Sequence, residues 1–254
     1  MRTLLFGKRN AKEILRDPLS YVFTMGFPVL LLIVFQVIAS CTPGGEVFWF
    51  ELGYLAPGIA VFSFSFVMLY MSILVANDRN TTFLSRLYTS PMKAFDFIAG
   101  YNLPGIVICL CQIVICYITV WVISLVTGDE VSVGNLLLTI PVYLPLMLMF
   151  VSLGVMFGCL FSNKSSPGIC SVVIQVVGFL GGIWMPVSQM GGYETVCECL
   201  PFYPAVQIGR SILLCEDITD GKIPLYIIIV LAYIIVLFAL SIMCFRAKTQ
   251  SNEK

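Results

Sequence analysis

Long uncharged apolar runs alternate along this chain with short polar interruptions, a rhythm that predicts helices of membrane-crossing length. The runs fall at 19–39, 54–76, 98–126, 136–161, 168–186 and 223–245, each near the ~20 residues that a bilayer crossing requires. They predict an all-α membrane protein with six transmembrane helices, folded as a single domain over residues 1–254. Pro28 lies inside the first run and is expected to kink it; Pro57 and Pro104 stand within the second and third runs, and Pro141 and Pro145 interrupt the fourth. Gly154 and Gly158 stand four apart, a small-residue spacing that lets a neighbouring helix come close.

The polar interruptions differ in kind. Residues 77–101 (NDRNTTFLSRLYTSPMKAFDFIAGY) are charged and amphipathic. An unpaired charge costs roughly 2.5–3.5 kcal/mol at the centre of a span, so Asp78, Arg79, Arg86, Lys93 and Asp96 together force this stretch to the membrane surface. Asn77, Asp78 or Asn80 is expected to cap a short helix reaching about Thr89. Phe83, Leu84, Leu87 and Tyr88 form its apolar stripe, and Pro91 ends it. Physics leaves two roles open here, a topogenic surface helix or a docking helix for a partner.

Residues 1–17 carry five basic side chains, with Leu4, Ala11, Ile14 and Leu15 at helical spacing. They read either as an interfacial helix or as a basic flank. Residues 185–222 are mixed, and their apolar part, 205–214, is too short to span. It is expected to lie re-entrant or flat at the interface.

Composition agrees with this picture. Hydrophobic residues make up 59% of the chain and charged residues 11%, against about 25% charged in a soluble domain. The net charge of zero conceals an asymmetry. Twelve of the fourteen Lys and Arg fall on the side of the termini, leaving only Arg210 and Lys222 opposite, while nine of the fourteen acidic residues fall opposite. The positive-inside rule therefore puts both termini, the 77–101 stretch and the Lys164 loop in the cytoplasm.

Chemistry narrows the classes further. There is no His, and the P-loop, G-x-S-x-G, H-E-x-x-H and paired-Cys zinc patterns are absent, so the chain reads as neither an enzyme nor a metal protein. No ionisable residue interrupts a span core, which lowers the case for an ion-coupled carrier. Six of the ten cysteines lie in spans; Cys41, Cys197, Cys199 and Cys215 lie outside, and a bridge from Cys197 or Cys199 to Cys215 is expected there. Metal binding by Cys197 and Cys199 is the weaker rival. Phe62, Phe64 and Phe66 spread around the second span and read as lipid contacts or as a substrate-facing wall.

The segment DRNTTFLSRLYTSPMKAFDFIAGYNLP resembles the first cytoplasmic loop of ABC-2 type export permeases. The family's T-x-x-R-L-x-x-x-P-like signature falls on Thr82, Arg86 or Leu87, and Pro91, with Gly100 opening the third span. Thr82 stands where many relatives have Gly. A second similarity lies in GFLGGIWMPVSQM followed by LPFYPAVQIGRSIL, which resembles the end of the fifth span and a re-entrant segment before the last one. The resemblance implies a permease subunit that pairs with a second permease, as homo- or heterodimer, and with separate cytoplasmic ATPase chains. Those chains would bind ATP and Mg, leaving this one without a cofactor.

Asp78, Arg79, Thr82, Leu84, Arg86, Leu87 and Pro91 would then belong to the ATPase-coupling helix. Phe62, Phe66, Gln175 and Phe179 would line the cavity for a drug-like, lipidic or peptide substrate, exported across the plasma membrane. The rival readings are an ATP-independent channel or secondary carrier, and a membrane scaffold or sensor without transport.

Overall fold

In lipid, a backbone N–H or C=O without a partner costs several kcal/mol, so apolar runs of this length are driven into helices. The computed structural model describes residues 2–16, 22–41, 50–80, 94–129, 131–185, 187–215 and 221–251. Among these residues it contains nine α-helices and no strand. They are α1 (Arg2–Leu15), α2 (Phe27–Cys41), α3 (Leu52–Asn80), α4 (Ala94–Thr127), α5 (Val133–Leu160), α6 (Ser166–Leu180), α7 (Gly192–Cys199), α8 (Phe202–Leu213) and α9 (Ile223–Ser251). A π-helical turn, Val22–Gly26, leads into α2.

Among the described residues, five helical segments are long and apolar enough to cross a membrane: Thr24–Cys41, Leu52–Arg79, Phe97–Thr127, Val133–Leu160 and Ile223–Cys244. The fifth expected span, 168–186, is shorter than the sequence pattern suggests. Its helix, α6, has 15 residues, about 22 Å against a hydrocarbon core of about 30 Å. The chain turns at Gly181 and Gly182. Gly182 has φ +61°, and a Cβ there would lie 2.9 Å from both Tyr203 and Val187. A side chain at that position would be strained and crowded, so glycine permits the turn.

Helix α3 is the hub. It packs against α2, α4, α5, α6 and α8, and 78% of its apolar window is buried, against 17% in α2 and in α9. The Gly154/Gly158 pair of α5 faces it directly. A Cβ on Gly154 would stand 2.4 Å from the Met68 carbonyl oxygen, and one on Gly158 would stand 2.6 Å from the Ser72 oxygen. Backbone meets backbone there, so association rests on close van der Waals packing, the main attraction available between helices in lipid.

Polar side chains pin the same bundle. Gln112 of α4 donates to the Ser63 carbonyl of α3 at 3.1 Å and to that of Thr24. Ser72 of α3 is hydrogen-bonded to Ser166 of α6. Thr139 of α5 donates to the Tyr117 hydroxyl of α4 at 2.7 Å.

Helix α8 lies inside the bundle, with every residue from Phe202 to Leu213 buried except Gln207. Phe202 meets Phe150 of α5 with ring centroids 5.9 Å apart, and Tyr143 donates to the Ala205 carbonyl at 3.3 Å. On the outside, α7 is clamped to the start of α9. Lys222 contacts Glu198 at 2.5 Å, and Tyr226 donates to the same carboxylate oxygen at 2.7 Å. The hydrogen bond from Lys222 holds the Glu198 carboxyl below its ordinary range. This clamp therefore persists at neutral pH and is lost only as pH falls through that lowered value.

Candidate functional site

The side chains that could carry function gather at the two ends of α3. At its C-terminal end the helix does not stop where the sequence suggests. The sequence offers Asn77, Asp78 or Asn80 as the cap of a new helix, but α3 runs unbroken through them to Asn80. They form its last turn. Asp78 is accordingly inside the protein, only 3% exposed.

Two neighbouring helices converge on that carboxylate. Arg9 of α1 binds it in a two-pronged pair, Nη1 to Oδ2 and Nη2 to Oδ1, both at 3.0 Å. The Tyr101 hydroxyl of α4 donates to Oδ2 at 2.7 Å. Bidentate Arg–carboxylate geometry is the strong form of such a contact. Arg9 also meets Glu13 at 2.8 Å, while Asn10 donates to the Gly100 carbonyl at 3.3 Å. Burial would lower the Arg9 guanidinium, but the hydrogen bond and charge of Asp78 outweigh it and raise it overall.

The next residue reaches the other way. Arg79 donates to the carbonyls of Gly158 (3.0 Å), Cys159 and Phe161 (3.3 Å) at the end of α5. Those carbonyls lack intrahelical partners, and the negative end of the α5 dipole favours a cation there. Asn163 donates to the Asn77 side chain beside them. The last turn of α3 thus ties α1, α4 and α5 together. Of the expected coupling residues, Asp78 and Arg79 belong to this knot; Thr82, Leu84, Arg86, Leu87 and Pro91 lie outside the described residues.

At the opposite end the organising group is Arg210 of α8. The sequence counts it as a loop charge, yet it is 2% exposed. Its Nε donates to the Tyr54 carbonyl at 3.0 Å and its Nη2 to the Gly182 carbonyl at 2.9 Å. The guanidinium also lies 3.5 Å from the centroid of the Tyr54 ring, a cation–π contact that offsets part of its desolvation. Arg210 therefore joins α8, the first turn of α3 and the turn after α6.

The four expected cavity residues divide into two pairs. Phe62 and Phe66 sit on α3 beneath an aromatic series, with Phe62 5.2 Å from Trp184, Phe66 4.9 Å from Phe27 and Phe35 stacked 5.0 Å from Trp184. Gln175 and Phe179 are exposed on α6, Phe179 by 50%. Phe62 is packed against α6 at Gly178 rather than beside Phe179. Cys197 is buried, Cys199 and Cys215 are exposed, and all three are free thiols. Cys215 accepts a hydrogen bond from Asn135 at 3.0 Å. Among the described residues no cluster of His, Cys, Asp and Glu has the makings of a metal site.

Sequence reasoning missed Arg9, Tyr101 and Arg210 as site residues. Arg9 was one of five basic side chains in a flank, with nothing local to single it out. Arg210 did carry a signal: it stands alone in the apolar string FYPAVQIGRSILL, where an isolated charge needs fixed partners.

A bundle of apolar, membrane-length helices, tied together at both ends of the central helix α3, defines a multi-pass membrane protein. Residues 2–214 match the family described as ABC-2 type transporter, and the chain belongs to that family. A comparison with curated proteins finds no match. The family assigns the chain to the membrane permease part of an ABC transporter, a transport subunit that is not itself an enzyme.

Proposed function

We propose that this chain is the permease subunit of an ATP-driven exporter. In this reading it lies in the plasma membrane with both termini in the cytoplasm, paired with a second permease and served by separate ATPase chains that bind ATP and Mg. The observation that carries the proposal is the knot at the end of α3. Directly before the 81–93 stretch, Asp78 and Arg79 bind α1, α4 and α5. A force applied to a helix at 80–89 would pass into four helices at once instead of bending a loose loop. This fits rigid-body tilting driven by closure of the ATPases.

The same reading makes α6, its glycine turn and α8 a broken fifth crossing, with Arg210 fixing the re-entrant part to α3. The exposed face of α6 with Gln175 and Phe179, together with the Phe62/Phe66 wall of α3, would border the path of a drug-like, lipidic or peptide substrate. A bridge between Cys215 and Cys197 or Cys199 would staple the external segment when oxidised.

Charge reversal at Arg86, or Leu87→Asp, is expected to abolish ATP-dependent export while leaving membrane insertion and expression intact. Transport into inverted vesicles, read beside a surface-expression blot, checks this. Export persisting in both variants would remove the coupling assignment.

A further inference from the structure

Helix α1 has two dissimilar sides. Phe6, Gly7, Asn10 and Ile14 are buried, whereas Lys8, Lys12 and Arg16 are exposed. Spacing of four residues places these three cations on one stripe. The depth of the helix is set by its buried side: Phe6 meets Phe97 and Tyr101 with centroids 5.7 and 5.0 Å away, and the apolar run of α4 begins at Phe97. Helix α1 therefore lies where a span leaves the hydrocarbon, at the level of the lipid headgroups.

A hollow of about 560 Å³ opens along this stripe, bordered by Lys8, Arg9, Lys12, Glu13 and Arg16. Arg9 and Glu13 are already joined, with Arg9 anchored on Asp78. Among the described residues, no carboxylate pairs with Lys8, Lys12 or Arg16. The net charge facing the hollow is thus positive at the depth where phospholipid phosphates lie, and the described residues that border it are all charged.

We propose that Lys8, Lys12 and Arg16 form a binding site for the phosphate headgroup of an anionic phospholipid. A headgroup seated there would also hold α1, and through Arg9 the end of α3, against the membrane surface. The site is independent of the transported substrate and of the direction of transport.

The test uses the full chain in phosphatidylcholine bilayers containing a fifth phosphatidylserine, with spin-labelled forms of each lipid read by electron paramagnetic resonance. The wild-type protein is expected to immobilise the serine lipid in preference to the choline lipid by about five-fold or more, as a few basic residues at an anionic surface provide. The K8Q/K12Q/R16Q variant should fall to near parity at an unchanged melting temperature. The K8R/K12R variant should retain the preference. Equal selectivity in wild type and the glutamine variant would overturn the proposal. Displacement of the lipid signal by excess inorganic phosphate at constant ionic strength would assign the site to a soluble phosphate and overturn it as a lipid site. Loss of a copurifying protein with unaltered lipid selectivity would assign the stripe to a protein partner, with the same consequence.

Discussion

Asp78→Ala is expected to lower the stability of the folded chain by about 3 kcal/mol, the low end of the range for breaking a buried ion pair. The low end applies because Arg9 keeps its contact with Glu13 and 35% of its side chain is exposed, so that carboxylate and water partly compensate the guanidinium for the loss of Asp78. Tyr101 loses its acceptor in the same step; Tyr101→Phe alone should cost about 1 kcal/mol. The informative variant is the double replacement Arg9→Met with Asp78→Leu. It removes both charges and fills the space, so it should recover most of the loss, as apolar replacements of buried pairs do. A double-mutant cycle by thermal unfolding in detergent checks the coupling. Additive single effects would mean that Arg9 and Asp78 do not act as a unit.

The second large effect concerns the contact between α3 and α5. Gly158→Leu and Gly154→Leu each force side-chain atoms into a space where a bare Cβ already stands 2.4–2.6 Å from a backbone carbonyl of α3. Backbone inside a packed bundle cannot rotate away as a side-chain tip does. Each substitution should exceed the usual overpacking penalty of about 1–3 kcal/mol and part the two helices. The expected result is loss of monodisperse protein on size-exclusion chromatography. Gly168→Ala is the matched control. Its Cβ would meet nothing within 4 Å, and in a helix the change should be neutral or stabilising by about 0.5–1 kcal/mol. Normal yields for both leucine variants would show that the close approach does not hold the bundle.

These two sites differ in how far the sequence reveals them. The Gly154–Gly158 spacing is visible in the sequence, but the same spacing is common by chance in apolar helices, and it is the structure that sets both glycines against the α3 backbone. The long spans were legible because lipid demands uninterrupted apolar length. The knot at Asp78 was not. Charge at the end of an apolar run ordinarily reads as a solvated boundary, and the partner that makes burial tolerable is 69 residues away in the chain.

Arg210 failed the same test in another form. Counting it as an external charge preserved the topology argument but hid its role, since its partners are the backbone carbonyls of Tyr54 and Gly182, and carbonyls have no sequence signature. The fifth span was overestimated because hydropathy passes smoothly through Gly181, Gly182 and Trp184, while the positive φ at Gly182 ends the helix. The coupling stretch is the reverse case: its motif is plain in the sequence, yet Thr82 to Pro91 lies outside the described residues.

The central claim is that this permease is driven by another chain. Mild-detergent purification of the full-length protein from its native membrane, with mass spectrometry of what accompanies it, tests this most directly. The account predicts an ATP-binding subunit in fixed ratio to the permease, lost from the Leu87→Asp variant while the permease itself is recovered in full. Purification of a transport-competent protein with no ATP-binding chain would contradict it.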